Sequence, residues 1–412
     1  MNIYYGILVH IVWFLSTYFV IVFLLALFDN RKRLYESPAM ESNEIKGKVS
    51  IIVPAYNEEK TIKDCIESLK KIDYPKELYE IIVVNDGSKD KTAEITKEYA
   101  KDNVILIDNE KNKGKAACLY QGIESAKGSF IACMDADTIV PEDILKKMLP
   151  YFKDEKVGSV TVSVEVRFVN NFLQKIIRLE YILGLSLFLK ILSFFNCVHV
   201  TPGPFSVYRK DLIERIGYFD VNSITEDLEI AYRIHKSGYK IANCMTASVK
   251  TVTPDNLKGL YRQRRRWYSG ALMTLWKHKD MVIKNKVGLF GYFIPYNYAL
   301  IISGLGLFFL SLYLTFSNIA RNLSYYSLTN YNFFSNLTFD IDILNLSIFM
   351  FFGLSGVLGM ILLLTYGLKF SKNAPRKKFS LYFGYFMLFF LYQAFWLASF
   401  FIVLFRRKLK WH

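Results

Sequence analysis

Residues 50–88 read SIIVPAYNEEKTIKDCIESLKKIDYPKELYEIIVVNDGS, and their pattern decides the fold. VSIIVPAY (49–56) is a short apolar run ending at Pro54. A helical stretch comes next over residues 58–71, and YEIIVVND (79–86) is a second apolar run. Two such runs joined through one helix describe a βαβ unit with parallel strands. The alternation continues outward with a helix over 91–100, NVILID, a helix over 115–126 and SFIACMDAD. The expected fold is therefore α/β, a Rossmann-like, mostly parallel sheet.

Open sheets of this kind bind ligands beyond the carboxyl ends of their strands. Polar residues gather there: Tyr56, Asn57 and Glu58 after the first strand, Asn85, Asp86, Gly87 and Ser88 after the second, Asp135 and Asp137 after the fourth. Any one of these loops could be turn chemistry alone. Three on the same edge point to a site. Alternate residues of a strand end face opposite ways, but a turn at Ala136 aims both Asp135 and Asp137 at one ligand. Carboxylates without a nearby Cys or His pair suit Mg²⁺ or Mn²⁺ held together with substrate phosphates. Lys113, Gly114 and Lys115 open the third helix, where unpaired N–H groups and the helix dipole favour anions; a plain surface lysine is the competing reading.

In SITEDLEIAYRIHKSGY, Thr225 is the expected N-cap and Gly238 the stop, with Leu228, Ala231 and Ile234 on one apolar face. Glu226 and Asp227 fall in the first turn, where acids are favoured whatever they do. The same dipole keeps Asp227 ionised, as a general base must be. If residues 256–277 are helical, Gln263, Arg266 and Trp267 of YRQRRRWYSG share one face, while Arg264 and Arg265 point elsewhere, free for lipid headgroups or solvent. A guanidinium grips a diphosphate bidentately, so Arg266 is the expected diphosphate ligand.

The chain has 412 residues, 52% of them hydrophobic, 34 Phe, 28 Tyr and a net charge of +15. Aromatic richness makes lipid the first suspect for the positive charge, and nucleic acid is not an expected partner because the basic residues lie beside apolar segments and in QRRRW. Five scattered cysteines form no CxxC pair, so neither a disulfide framework nor a zinc site is indicated. His199 and His235 are expected to be structural, His235 near a helix end that favours a cation. Apolar segments near 4–28, 289–316, 344–368 and 381–405 are long enough to cross a bilayer. The first reads as an anchor. Arg31, Lys32 and Arg33, directly beyond it, place the succeeding residues in the cytoplasm. The loop 317–343 is then outside, and the next, with Lys369, Lys372, Arg376, Lys377 and Lys378, inside. Four simple spans put the basic tail RRKLKWH outside, in conflict with its charge. The stretch 181–195 is too short to span, so it should lie along the membrane surface, Lys190 reaching headgroups while Leu187, Phe188 and Ile191 insert.

PAYNEE, VVNDGS, NKGKAACLYQGI, CMDADT, ITEDLEIAYRIHKSGY and QRRRW, in this order, resemble the membrane-bound family 2 processive glycosyltransferases, most of all the poly-β-1,6-N-acetylglucosamine synthases, with hyaluronan, chitin and cellulose synthases as relatives. The resemblance implies a GT-A fold, with an anchor at 1–30, a cytoplasmic catalytic domain at 31–286 and a membrane region of about three spans at 287–412. It implies a UDP-sugar donor bound by Ala55, Tyr56, Glu58, Asn85 and Asp86, and by Lys115, Asp135, Gln263, Arg266 and Trp267. Many relatives carry aspartate where Asn85 stands. Asp135 and Asp137 would hold metal, Asp227 would be the base, and Glu226 and Trp267 would meet the acceptor, a growing polysaccharide. TPGPFSVYR lies where relatives line the acceptor site, although Pro202 and Pro204 depart from their pattern. The bilayer and a small accessory membrane protein are the further expected partners. Rival readings are a non-processive family 2 transferase acting on a lipid or glycan, and a transporter with a nucleotide-binding domain. The transporter is disfavoured because no span carries a buried charge of the transport kind.

Overall fold

The computed structural model describes residues 3–38, 47–101, 103–284, 287–329, 348–371 and 379–405. An apolar helix α1 (Ile3–Asp29) precedes the α/β part. Strands β1 (Val49–Ala55), β2 (Tyr79–Asp86), β3 (Val104–Asn109), β4 (Phe130–Cys133), β5 (Val157–Val166), β6 (Ser206–Arg209) and β7 (Lys240–Thr251) form one sheet in the order β3-β2-β1-β4-β6-β5-β7. β1 runs parallel to β2 and β4, β2 to β3, and β5 to β7; among the described residues only β6 is antiparallel to its neighbours.

Central strands read as unbroken apolar runs because both faces of the sheet are covered. Ile51 and Val53 face one way, into a core with Ile62, Ile66 and Leu69 of α2 (Ile62–Lys70). Ile52 and Val84 face the other, onto Leu119 and Ile123 of α4 (Lys115–Ser125), α3 (Thr92–Tyr99) lying between the two helices in sequence. Period-two alternation thus distributes one strand between two cores. The helix expected from residue 58 starts later, because the Glu58 carbonyl accepts from Thr61 N (3.0 Å) and Ile62 N (2.9 Å) in a turn instead. From β1 the chain winds through β2 to β3, then returns to place β4 on the other side of β1. The order reverses between β1 and β4, and a crevice opens at such a switch point.

Two more short helices, α5 (Ile144–Met148) and α6 (Phe172–Tyr181), are followed by a π-helical segment, Ile182–Phe188, and α7 (Leu189–Phe194). This segment does not present its apolar side to lipid as expected. Leu187 and Ile191 are buried in the protein, and Lys190 is buried too, donating to the Asn243 carbonyl at 3.0 Å and lying over the Tyr151 and Phe194 rings. Burial pushes the Lys190 amine down to about 8. The wider sheet simply offers more apolar area than the segment's composition reveals. Next come α8 (Lys210–Arg215), α9 (Glu226–Lys236), α10 (Leu257–Lys277), α11 (Phe290–Thr329), α12 (Ile348–Lys369) and α13 (Phe379–Leu404).

Among the described residues, three helical stretches are long and apolar enough to cross a membrane: Gly6–Asp29, Phe290–Arg321 and Phe379–Leu404. In α12 the stretch Leu354–Lys369 is apolar but shorter. The expected loop 317–343 is helical as far as Thr329, and the rest of it, residues 372–378 and the tail lie outside the described residues. The chain divides into two compact units, Met1–Phe28 with Ile294–Tyr366, and Asp29–Phe293 with Gly367–His412. The second contains the whole sheet together with α13.

Candidate active site

At the switch point lies a cavity of about 360 Å³, lined by the ends of β1 and β4 and by α4 and α10. Ala55, Tyr56 and Glu58 come from the first loop, Asp86 from β2, Lys115 from α4, Asp135 and Asp137 from the turn after β4, and Arg266 from α10. Sequence residues far apart therefore meet at one strand edge. Asn112, the first residue of NKGKAACLYQGI, also lines the cavity, a role the motif alone does not single out. Asp86 is buried, its carboxylate accepting from Lys113 N (2.7 Å) and Gly114 N (2.9 Å). These are the amides expected to bind an anion. Asp86 already occupies them, so a ligand at this end meets a structured carboxylate and not bare N–H groups. Asn85 does not line the cavity: its amide donates to Asp108 Oδ1 at 2.7 Å and ties β2 to β3.

Lys115 sits between two carboxylates, 2.6 Å from Asp135 Oδ1 and 2.8 Å from Glu226 Oε1. Burial opposes its charge, but Asp135, Glu226 and Asp227 outweigh that and hold the proton well above the ordinary lysine value. Gly203, in the TPGP turn, closes over this pair: a Cβ there would stand 2.8 Å from Lys115 Nζ and 2.9 Å from Asp135 Oδ2. That role of the TPGP stretch is not visible in its sequence. Glu226 is buried on Lys115, so it is not presented to an acceptor as expected.

Asp137 accepts from Thr251 Oγ1 at 3.0 Å, and burial, then Asp135 and Glu58, push it up to about 7. Burial also raises Glu58, against the Thr61 hydroxyl that lowers it, with Asp135 adding to the rise. Carboxylates crowded on one wall without Cys or His fit a hard divalent cation, which would relieve their repulsion. Among the described residues no three His, Cys, Asp or Glu side chains form a ready cage, so phosphate oxygens would have to complete the shell.

Asp227 lies at the first turn of α9 with its backbone carbonyl held by Thr201 N (3.1 Å) and Oγ1 (2.7 Å). It does not line the cavity itself. It is held within electrostatic reach of Lys115, Arg266 and Asp135. Burial, then Glu226, push Asp227 up to about 6, while Lys115 and Arg266 pull it down. The helix dipole expected to keep it fully ionised is outweighed, which makes it a stronger base than a solvated aspartate. Thr225 stands at the N-cap, but its hydroxyl makes no cap bond and is turned onto Gly270 of α10. His235 is buried and His199 half-buried, and loss of solvent around each ring lowers it to about 4. His235 stacks on Phe290 with its ring 3.9 Å away and Nε2 2.7 Å from the Val198 carbonyl; it is a neutral packing residue, not the helix-end cation expected.

Helix α10 starts from Asn256, whose side chain accepts from Gly259 N at 2.8 Å. Its phase separates the arginines as expected only in part. Arg266 reaches the cavity and donates to the Ile224 carbonyl at 3.3 Å. Gln263 and Trp267, expected beside it, do not line the cavity: Gln263 turns to Tyr181, and Trp267, half-buried, packs against the core. Arg264, expected at lipid or solvent, is 1% exposed and paired with Glu180 at 3.0 Å. Arg265 is half-buried over the Tyr261 ring. A charge run in sequence carries no sign of the neighbouring helix that can bury it.

Residues 50–217 match the model of glycosyl transferase family 2. The chain is 32% identical over 277 residues to the poly-beta-1,6-N-acetyl-D-glucosamine synthase of Staphylococcus aureus (strain COL), covering 66% of this chain and 66% of that relative. It is 33% identical over 259 residues to the synthase of the same name from Staphylococcus epidermidis, covering 62% and 61%. Among solved structures, the mannosyltransferase PcManGT from Pyrobaculum calidifontis in complex with GDP-Man and Mn²⁺ shares the fold, with a TM-score of 0.62 at 17% identity over 97% of this chain and 100% of that one. The fold is GT-A, and the chain belongs to the family 2 glycosyltransferases.

Proposed function

We propose that this glycosyltransferase is an inverting, processive membrane enzyme. It extends a β-linked polysaccharide from UDP-N-acetylglucosamine and exports the product. The catalytic part, residues 31–286, works on the cytoplasmic side, between an anchor at 1–30 and a membrane region at 287–412. The observation that carries the chemistry is the convergence of Lys115, Asp135, Asp137 and Arg266 on one cavity, with a partly desolvated Asp227 beside them. The sugar and the polymer rest on the similarity to relatives named as poly-β-1,6-N-acetylglucosamine synthases.

Asp227 accepts the proton of the acceptor hydroxyl as that oxygen attacks the anomeric carbon. The bond from this carbon to the diphosphate breaks on the opposite face, so configuration inverts and UDP leaves. One base suffices, and no carboxylate nucleophile is needed. Arg266 meets the charge gathering on the departing diphosphate, and Lys115 can exchange one of its carboxylates for a phosphate oxygen. A Mg²⁺ or Mn²⁺ ion held by Asp135 and Asp137 would supply further positive charge at that diphosphate.

Membranes carrying the full chain, given UDP-N-acetylglucosamine with Mg²⁺ or Mn²⁺, should release UDP and accumulate polymer. Asp137→Asn should abolish the metal-dependent release while leaving membrane insertion intact. A product of one added sugar would favour the non-processive reading. Equal activity in excess chelator would overturn the metal assignment.

A further inference from the structure

We propose that Arg264 is a positioning residue, locking α10 to α6 and α13 so that Arg266 is held in its working orientation. This rests on the transferase reading but concerns a side chain that touches neither donor nor acceptor.

Arg264 Nη2 lies 3.0 Å from Glu180 Oε2 on α6, and its Nε donates to the Tyr392 hydroxyl on α13 at 3.3 Å. Tyr392 in turn donates to the same Glu180 oxygen at 2.7 Å, closing a three-membered network between three helices. The guanidinium carbon stands 4.1 Å from the centre of the Trp267 ring, so the cation also fixes the indole. Around this network α10 presents a ladder to α13: Tyr261 meets Phe395 edge-on at 5.0 Å, and Tyr268 stacks on Trp396 at 4.1 Å. Residues 261, 264 and 268 share this face at helical spacing. Arg266 lies off it and reaches the cavity. One rigid helix therefore carries the anchor on one face and the diphosphate-facing arginine on another.

An ion pair with a buried arginine and a half-buried glutamate is weak evidence for stability, since an apolar pair of similar volume is often as stable or more so. Its geometric demand is the informative part. The planar guanidinium must meet Glu180 Oε2 with one nitrogen and the Tyr392 hydroxyl with another, which fixes the rotation of α10 where a greasy contact would allow slip.

The test uses the full chain in lipid vesicles with UDP-N-acetylglucosamine, scoring kcat, donor KM and the thermal midpoint. Arg264→Lys keeps the charge but loses the fork and the flat stack on Trp267. It should lower kcat by about tenfold or more with donor KM within about threefold, as expected when a misplaced helix costs rate and not binding. Tyr392→Phe should do the same more mildly. The double variant Glu180→Met with Arg264→Met should melt at or above the wild type yet remain slow. Wild-type kcat in Arg264→Lys, a loss confined to donor KM, or recovery of kcat together with stability in the double variant would overturn the proposal. If the double variant does not fold, the Arg264→Lys and Tyr392→Phe pair decides. A wild type that releases no UDP sinks the donor assignment instead, and the same variants are then scored with whichever nucleotide-sugar it does consume.

Discussion

Asp227 illustrates how little of a residue's chemistry resides in the residue. Placed in the first turn of a helix, an aspartate would be held ionised and weakly basic; partly desolvated beside Glu226 it is pushed up to about 6. A base must be deprotonated to work, so kcat/KM should rise with pH and level off above about 6, the limb belonging to the free enzyme. Asp227→Asn should remove that limb and lower turnover by about 10²–10⁴ while donor binding changes only a few-fold. A flat profile in the wild type, or a variant that loses donor affinity alone, would mark Asp227 as a binding or helix-start acid. Lys115 makes the complementary point. Its sequence context suggested an anion-seeking lysine, but in the fold it is already held by Asp135 and Glu226.

Between elements, the contact that aligns the site is the approach of α9 to α10 at Gly270. A Cβ on Gly270 would collide with the Thr225 side chain, whose own Cβ would stand 2.8 Å away, so that turning χ1 brings no relief. Thr225 immediately precedes Glu226 and Asp227, and Gly270 lies one helical turn beyond Arg266. Gly270→Ala should therefore push the base and the arginine apart, and a shift of about 1 Å can cost on the order of 10²-fold in rate. Circular dichroism should show the helices retained, and Thr225→Ala in the same chain should restore part of the activity by making room. Wild-type turnover in Gly270→Ala would show that the two helices yield without consequence.

For the molecule as a whole, the response to acid is a balance between desolvated groups whose pKa values are shifted in opposite directions. His199 and His235 have rings held down to about 4, against an ordinary 6.5. Below about 6.5 the unfolded chain binds protons at these rings and the fold does not, so they withdraw stability as pH drops through that window. Asp137 and Asp227, pushed up to about 7 and about 6, work in the opposite direction, the fold taking up their protons before the unfolded chain does. Removing one histidine therefore tips the balance in a known direction. His199→Phe, which keeps a ring beside Phe188 and Phe293, should gain thermal midpoint relative to the wild type between pH 7 and pH 5. A difference between the two that stays constant over this range would mean that the His199 ring is protonated as readily in the fold as in the unfolded chain.

The alternation of apolar runs and helical periods was enough to establish the parallel sheet, the loops at its carboxyl edge and the acidic pair Asp135 and Asp137, because strand period, helix period and turn chemistry are local properties. The helical phase of α10 likewise separated Arg266 from its neighbours. What the neighbours face was not legible. Arg264, Lys190 and Glu226 all looked exposed or ligand-seeking, and all three are buried against partners 50 or more residues away in the chain. Gly203 and Gly270 are close-approach positions whose need appears only when another element arrives. Burial and charge pairing depend on which surfaces meet, and that is decided by packing between segments that carry no mark of one another in sequence.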